Sequence, residues 1–192
     1  GGCANAVTST VAVVVVDSPA AITVQPTASQ TLCQGNTLTL TTTATGTGLT
    51  YQWFKGASVI VGATSSTFTI ASVATGDAAT YSVQVTSAGA CSNTVTSGNA
   101  VVSVDTPATI TVQPTASTTL CVGGTLSLSV TAGGSAPAYQ WKKNGADIPG
   151  ATRPSYTMSR ALRADNGAQF TVTVTGVQGS TTSVPAVLTV VE

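Results

Sequence analysis

The chain has 192 residues, six basic and six acidic side chains, a net charge of zero and no histidine. Charged residues are 6% of it, against about 25% in ordinary globular domains. Without imidazoles there is no Ser-His-Asp triad, no Cys-His pair and no His-ligated metal, and zero net charge removes the electrostatic footprint of a nucleic-acid binder.

No apolar run approaches the roughly 18 residues a membrane helix needs, so no membrane insertion is expected; the longest covers residues 11–16. The chain opens at Gly1 without Met, basic n-region or apolar h-region, which reads as a mature product or an excised piece. The four cysteines, Cys3, Cys33, Cys91 and Cys121, are even in number, regularly spaced and free of any C-x-x-C pair. That pattern points to disulfides in an oxidising compartment rather than to metal binding. An extracellular location follows.

In chain order, the first element is a strand over the N-terminal 18 residues, carrying Val7, Val11, Val13, Val14, Val15 and Val16. It is apolar on both faces, uncharged and β-branched, the profile of an aggregation-prone edge that needs a partner sheet. Pro19-Ala-Ala-Ile-Thr-Val-Gln-Pro-Thr-Ala-Ser-Gln-Thr-Leu-Cys33 then returns as Pro107-Ala-Thr-Ile-Thr-Val-Gln-Pro-Thr-Ala-Ser-Thr-Thr-Leu-Cys121, an offset of 88 residues. The same offset relates Tyr51 to Tyr139, Trp53 to Trp141, and the stretch Cys3–Ser9 to Cys91–Ser97. Residues 1–18 are therefore read as the last strand of a repeat whose body is absent, followed by repeats at 19–105 and 107–192.

Each repeat reads as all-β. Thr37-Leu-Thr-Leu-Thr41, Thr125-Leu-Ser-Leu-Ser129, Tyr81-Ser-Val-Gln-Val85 and Thr171-Val-Thr-Val-Thr175 alternate with period two. Turn signals separate them at Thr45-Gly-Thr-Gly48, Gly133-Gly134, Asn144-Gly145 and Asp165-Asn-Gly167. Short strands at this spacing predict a sandwich of about seven strands per repeat.

Gly35-x-x-Leu38-x-Leu40, Tyr51-x-Trp53-x-x-Gly56 and Asp77-x-Ala79-x-Tyr81-x-Val83, with their counterparts Gly123-x-x-Leu126-x-Leu128, Tyr139-x-Trp141 and Asp165 to Phe170, resemble strands B, C and F of an immunoglobulin-like domain. The Pro-Ala-x-Ile-Thr-Val-Gln-Pro opening is similar to tandem immunoglobulin-like modules of secreted and cell-surface proteins of Bacteroidota-type bacteria. The resemblance implies two tandem β-sandwiches at a bacterial cell surface, with Trp53, Tyr81, Trp141 and Phe170 as core. It also implies a disulfide between strands B and F, near Thr42 and Val83 and near Val130 and Val172, where this chain has no cysteine. The tryptophans are then expected to pack on aliphatic side chains. Tyr81 takes the tyrosine-corner position, and Phe170, displaced by one residue, lacks the hydroxyl.

In that topology Cys33 and Cys121 precede strand B, whereas Cys3 and Cys91 sit at the F–G turn, so a Cys33–Cys91 bridge is not expected. Two arrangements stay open. The N-terminal strand inserts into a neighbouring molecule, bringing Cys3 to Cys33 and Cys91 to Cys121, or it once completed a preceding domain of a longer array. Donation is opposed by the second repeat having a G strand of its own.

Other chemistry is sparse. Asp17 and Asp105 lie in the linkers, one carboxylate per junction, far from the 6–8 oxygens of a calcium site; no metal or cofactor is expected. Phe54 is the candidate exposed anchor. Lys142, Lys143, Arg153, Arg160 and Arg163 concentrate positive charge in the second repeat, as a patch for a cell-surface glycan or a solvated face. The expected function is a non-catalytic structural unit of an extracellular filament, stalk or adhesin. Its partners are copies of itself or neighbouring immunoglobulin-like repeats. The alternative is a carbohydrate-binding or spacer module of a secreted enzyme.

Overall fold

The computed structural model describes residue 2 and residues 7–192. Cys3 lies outside the described residues. The first sandwich is built from β1 (Ala21–Val24), β2 (Ser29–Cys33), β3 (Leu38–Thr41), β4 (Thr43–Thr45), β5 (Thr50–Lys55), β6 (Ser58–Val59), β7 (Thr67–Ile70), β8 (Ala79–Thr86), β9 (Thr94–Thr96) and β10 (Ala100–Asp105). One layer contains β1 on β4 and β3 on β7; the other runs β2-β10-β8-β5-β6, with β9 also on β8. Strands β3 and β4 are one strand interrupted at Thr42, whose hydroxyl donates to the Val24 carbonyl at 2.9 Å.

The alternating pattern explains the layers. Leu38 and Leu40 of β3 are buried while Thr39 and Thr41 are exposed, and Tyr81, Val83 and Val85 of β8 face the same interior. Each fully buried Val or Leu contributes roughly 1.5–3 kcal/mol, so the period-two pattern fixes which face turns inward.

The second sandwich repeats this plan with β11 (Thr109–Val112), β12 (Ser117–Cys121), β13 (Leu126–Ser129), β14 (Thr131–Gly133), β15 (Ala138–Lys143), β16 (Ala146–Asp147), β17 (Ser155–Met158), β18 (Gln169–Gly176), β19 (Gly179–Thr182) and β20 (Ala186–Val191). Its larger layer runs β12-β20-β18-β15-β16, and β12 pairs with β20 in parallel from Ser117↔Val187 to Cys121↔Val191.

Three expectations change. The tryptophans pack on rings as well as on aliphatic neighbours. Trp53 lies 5.9 Å from Phe68, which lies 5.8 Å from Tyr81, and Trp141, Tyr156 and Phe170 form the matching series. Each indole N–H donates to a backbone carbonyl, Ser65 at 2.8 Å and Arg153 at 2.9 Å. Phe170 is not displaced in space: it pairs with Lys143 as Tyr81 pairs with Lys55. One additional residue in the preceding turn, where Gly167 has φ +78°, absorbs the shift in numbering. Finally, residues 7–20 carry no strand; the expected N-terminal element is unpaired in the isolated chain.

Candidate functional site: sandwich ends and the N-terminal segment

The valines of the N-terminal segment form the most conspicuous surface. Val7, Val11, Val13, Val14, Val15 and Val16 are each between 75% and 90% exposed. Just beyond them the chain is anchored. Asp17 accepts the Ala90 N–H at 2.8 Å, the Ser18 N–H donates to the Thr47 hydroxyl at 2.9 Å, and the Thr47 N–H returns to the Ser18 carbonyl at 3.0 Å. The entry to the second sandwich repeats the clamp. The Thr106 N–H donates to the Ser135 hydroxyl at 3.0 Å, and the Ser135 N–H donates to the Thr106 carbonyl at 3.1 Å. Gly46 and Gly134 close the two turns against Pro19 and Pro107. A Cβ there would stand 2.9 Å and 2.5 Å from the proline carbonyl oxygens, at φ +143° and +108°. The linker carboxylate Asp17 is thus used in a turn, and among the described residues no three of His, Cys, Asp and Glu cluster as metal ligands.

Strand G is bipartite in both sandwiches, and a serine bridges the break. The Val83 N–H donates to the Ser97 hydroxyl oxygen at 3.0 Å while the Ser97 N–H donates to the Val83 carbonyl at 2.9 Å. Val172 and Ser183 repeat both bonds at 3.0 and 2.9 Å. One residue on, the Gly98 N–H is held by Gln25 at 2.9 Å and the Val184 N–H by Gln113 at 3.1 Å. Both serines are buried, where an unpaired strand amide would otherwise carry a desolvation cost. The matched stretches Cys3–Ser9 and Cys91–Ser97 already carried this serine; its role needed the strand pairing.

The cysteines divide as the strand order requires. Cys33 closes β2, and the next residue's N–H, that of Gln34, bonds the Asp105 carbonyl at the end of β10. Cys91 sits in the turn before β9. The length of β9 and β10 lies between those positions, far more than the about 7 Å a disulfide spans. Cys33 is half-buried, Cys91 and Cys121 are exposed, and all three carry free thiols. The Cys91 turn is itself braced by Asn93, whose side chain accepts from the Ala20 N–H at 2.5 Å and from the Ser87 hydroxyl at 2.8 Å, and donates to the Ala20 carbonyl at 3.1 Å. The second sandwich has only Val177 and Gln178 there, with no counterpart of Cys91 or Asn93.

The basic residues of the second sandwich do not act as one patch. Lys142 pairs with Asp147 at 2.9 Å, Lys143 with Asp165 and Arg163 with Glu192. Asp165 is buried in a single 3₁₀ turn, Arg163–Asp165. The hydrogen bond from Lys143, with the Leu162 N–H at 2.8 Å and the lysine's charge, outweighs desolvation and holds its carboxyl below the ordinary range. Phe54 is half-buried, paired across to Val59 and Ser82, and is not an exposed anchor. A shallow open depression of about 240 Å³ between Ile148 and Thr157 brings Arg153 and Tyr156 to one surface. Ligand pockets usually enclose about 300–1,000 Å³.

Two layers with this strand order, built twice in series, define tandem immunoglobulin-like domains. Residues 19–103, which include most of the first sandwich, match the family model described as Ig-like domain CHU_C associated. Among solved structures, the chain is similar to an I-band fragment I67–I69 of titin, at 19% identity and TM-score 0.67, covering 92% of this chain and 66% of that one. Immunoglobulin domains 1–4 of Sidekick-1 match at 18% identity and TM-score 0.67, covering 90% and 49%. The N-terminal four immunoglobulin domains of Dscam1 isoform 6.9 match at 18% and 0.61, covering 88% and 46%. The chain thus spans about two thirds of the titin fragment and about half of the other two. No curated protein matches it in sequence. Among the described residues no helix is long and apolar enough to cross a membrane.

Proposed function

We propose that the chain is a structural repeat unit of an extracellular bacterial filament, stalk or adhesin. Its immunoglobulin-like sandwiches follow one another along the chain and carry no catalysis. The observation that supports this most directly is the N-terminal segment: six valines left in water beside sandwiches whose sheets are already filled. In the assembly this segment is a donated strand, taking main-chain hydrogen bonds from a neighbouring sandwich, and the cysteines at the sandwich ends supply disulfides between molecules. The partners are copies of itself or neighbouring immunoglobulin-like repeats.

Non-reducing electrophoresis of the native material, with disulfide mapping, tests the reading. A ladder that collapses on reduction and yields disulfide-linked peptides from two molecules, Cys91–Cys121 among them, is expected. A single monomer band with four alkylatable thiols contradicts it. The Arg153–Tyr156 depression favours a second reading, a carbohydrate-binding or spacer module of a secreted enzyme, for which a monomer retained on an acidic polysaccharide column is the expected result.

A further inference from the structure

We infer that residues 7–17 are the bipartite G strand of a third sandwich built on the same 88-residue template. The surface that receives them is a preceding sandwich with an empty slot between its counterparts of β2 and β8. This rests on the end-to-end reading above and names the site at which the ends join.

The first support is a three-residue spacing with a fixed structural meaning. Ser97-x-x-Ala100 and Ser183-x-x-Ala186 each join the two halves of a G strand. The serine receives a buried amide of β8 or β18, and the alanine, 0% and 3% exposed, starts the inward row that Val102 and Leu188 continue. Ser9-x-x-Ala12 repeats the spacing at the same offset, with Val14 in the place of Val102, yet Ser9, Ala12 and Val14 are all exposed. The outward row agrees as well: Val13 corresponds to Val101 and Val187, which face solvent at 46% and 36%.

The second support is independent of the segment itself. Ser18 and Thr106 are clamped by the same pair of hydrogen bonds to Thr47 and Ser135, and Pro19 and Pro107 meet the same close glycine. The chain therefore enters both sandwiches through one junction. Where the residues before that junction are paired, in β10, they are a G strand running from Ala100 to Asp105. Residues 12–17 occupy that place ahead of the first junction.

The acceptor follows from what is already filled. β10 and β20 occupy the slots of the two described sandwiches, so a second copy of this chain receives the segment only by losing its own strand. A preceding sandwich with an open slot receives it without loss. Seated there, the Ser9 hydroxyl accepts an amide from the strand equivalent to β8, Ala12 and Val14 turn inward, and Val13 and Val15 turn out.

Hydrogen exchange on the native assembled material, compared with the isolated chain, tests this register. Amides of residues 12–17 are expected to exchange as slowly as those of 100–105 in the assembly, and at least about a hundredfold faster in the isolated chain. Ala12→Asp and Val14→Asp should abolish both the protection and the assembly, while Val13→Thr and Val15→Thr retain them. All four should leave the unfolding midpoint of the isolated chain unchanged, which separates assembly from folding. Equal loss from inward and outward substitutions would overturn the register. Protection of 12–17 accompanied by loss at 186–191 would overturn the acceptor in favour of a second copy. Material that stays polymeric while 12–17 exchange freely overturns this inference alone, whereas material that is monomeric overturns the end-to-end reading with it.

Discussion

At Asp165, a carboxylate taken out of water is held by the Lys143 ammonium and the Leu162 amide. Its carboxyl titrates below its unfolded value, so the stabilisation is present above about pH 4 and is lost as pH falls through the folded value. With no histidine in the chain, the melting temperature of the second sandwich should be flat from about pH 5 to 8 and fall below about pH 4. Asp165→Asn should lower it at neutral pH and flatten that acid limb; a melting curve series checks both. Ser183 is the complementary neutral case. Ser183→Ala leaves the buried Val172 amide without its acceptor, a loss of about 1–3 kcal/mol readable by urea unfolding. Asp165 was legible as a turn residue from Asp-Asn-Gly alone. The serine was not, because a hydroxyl on a Thr- and Ser-rich strand looks like any other until the break in the ladder is located.

The elements show the same division. Strands with strict alternation, such as β3, β8, β13 and β18, were legible because burying one face and wetting the other leaves a period of two. The pairing of β2 and β12 with the G strands was not legible. Short Thr-rich edge strands carry little hydrophobic signal, and their partners lie far away in sequence. The Trp–Phe–Tyr and Trp–Tyr–Phe series were missed for a related reason: Phe68 and Tyr156 sit on β7 and β17, whose contact with the tryptophans is set by layer packing and not by spacing. The longer F–G turn of the first sandwich makes a discriminating case. Asn93→Ala removes two hydrogen bonds that tie this turn to the chain entry at Ala20 and a third, from Ser87, that braces the turn itself, a loss of about 1–3 kcal/mol. Two-wavelength or domain-resolved exchange should place that loss in the first sandwich and leave the second unchanged, since its two-residue hairpin has no such brace.

For the whole molecule, a chain of 6% charged residues places its distinctive groups at the sandwich ends and junctions. Aromatic residues fill the interiors and cysteines mark the ends. Among the described residues the remaining apolar surface gathers most densely in the N-terminal segment. That distribution supports the proposed end-to-end assembly. The repeat was legible in the 88-residue offset, whereas the unpaired state of the segment was not: periodicity says which residues resemble a strand, and only pairing says whether they are one. The most direct measurement of the central claim is the molar mass of the native material by light scattering, in mild detergent, before and after reduction. End-to-end assembly predicts a broad distribution at many multiples of the chain mass of 18.8 kDa that shortens on reduction. A single species at the chain mass under both conditions would contradict it.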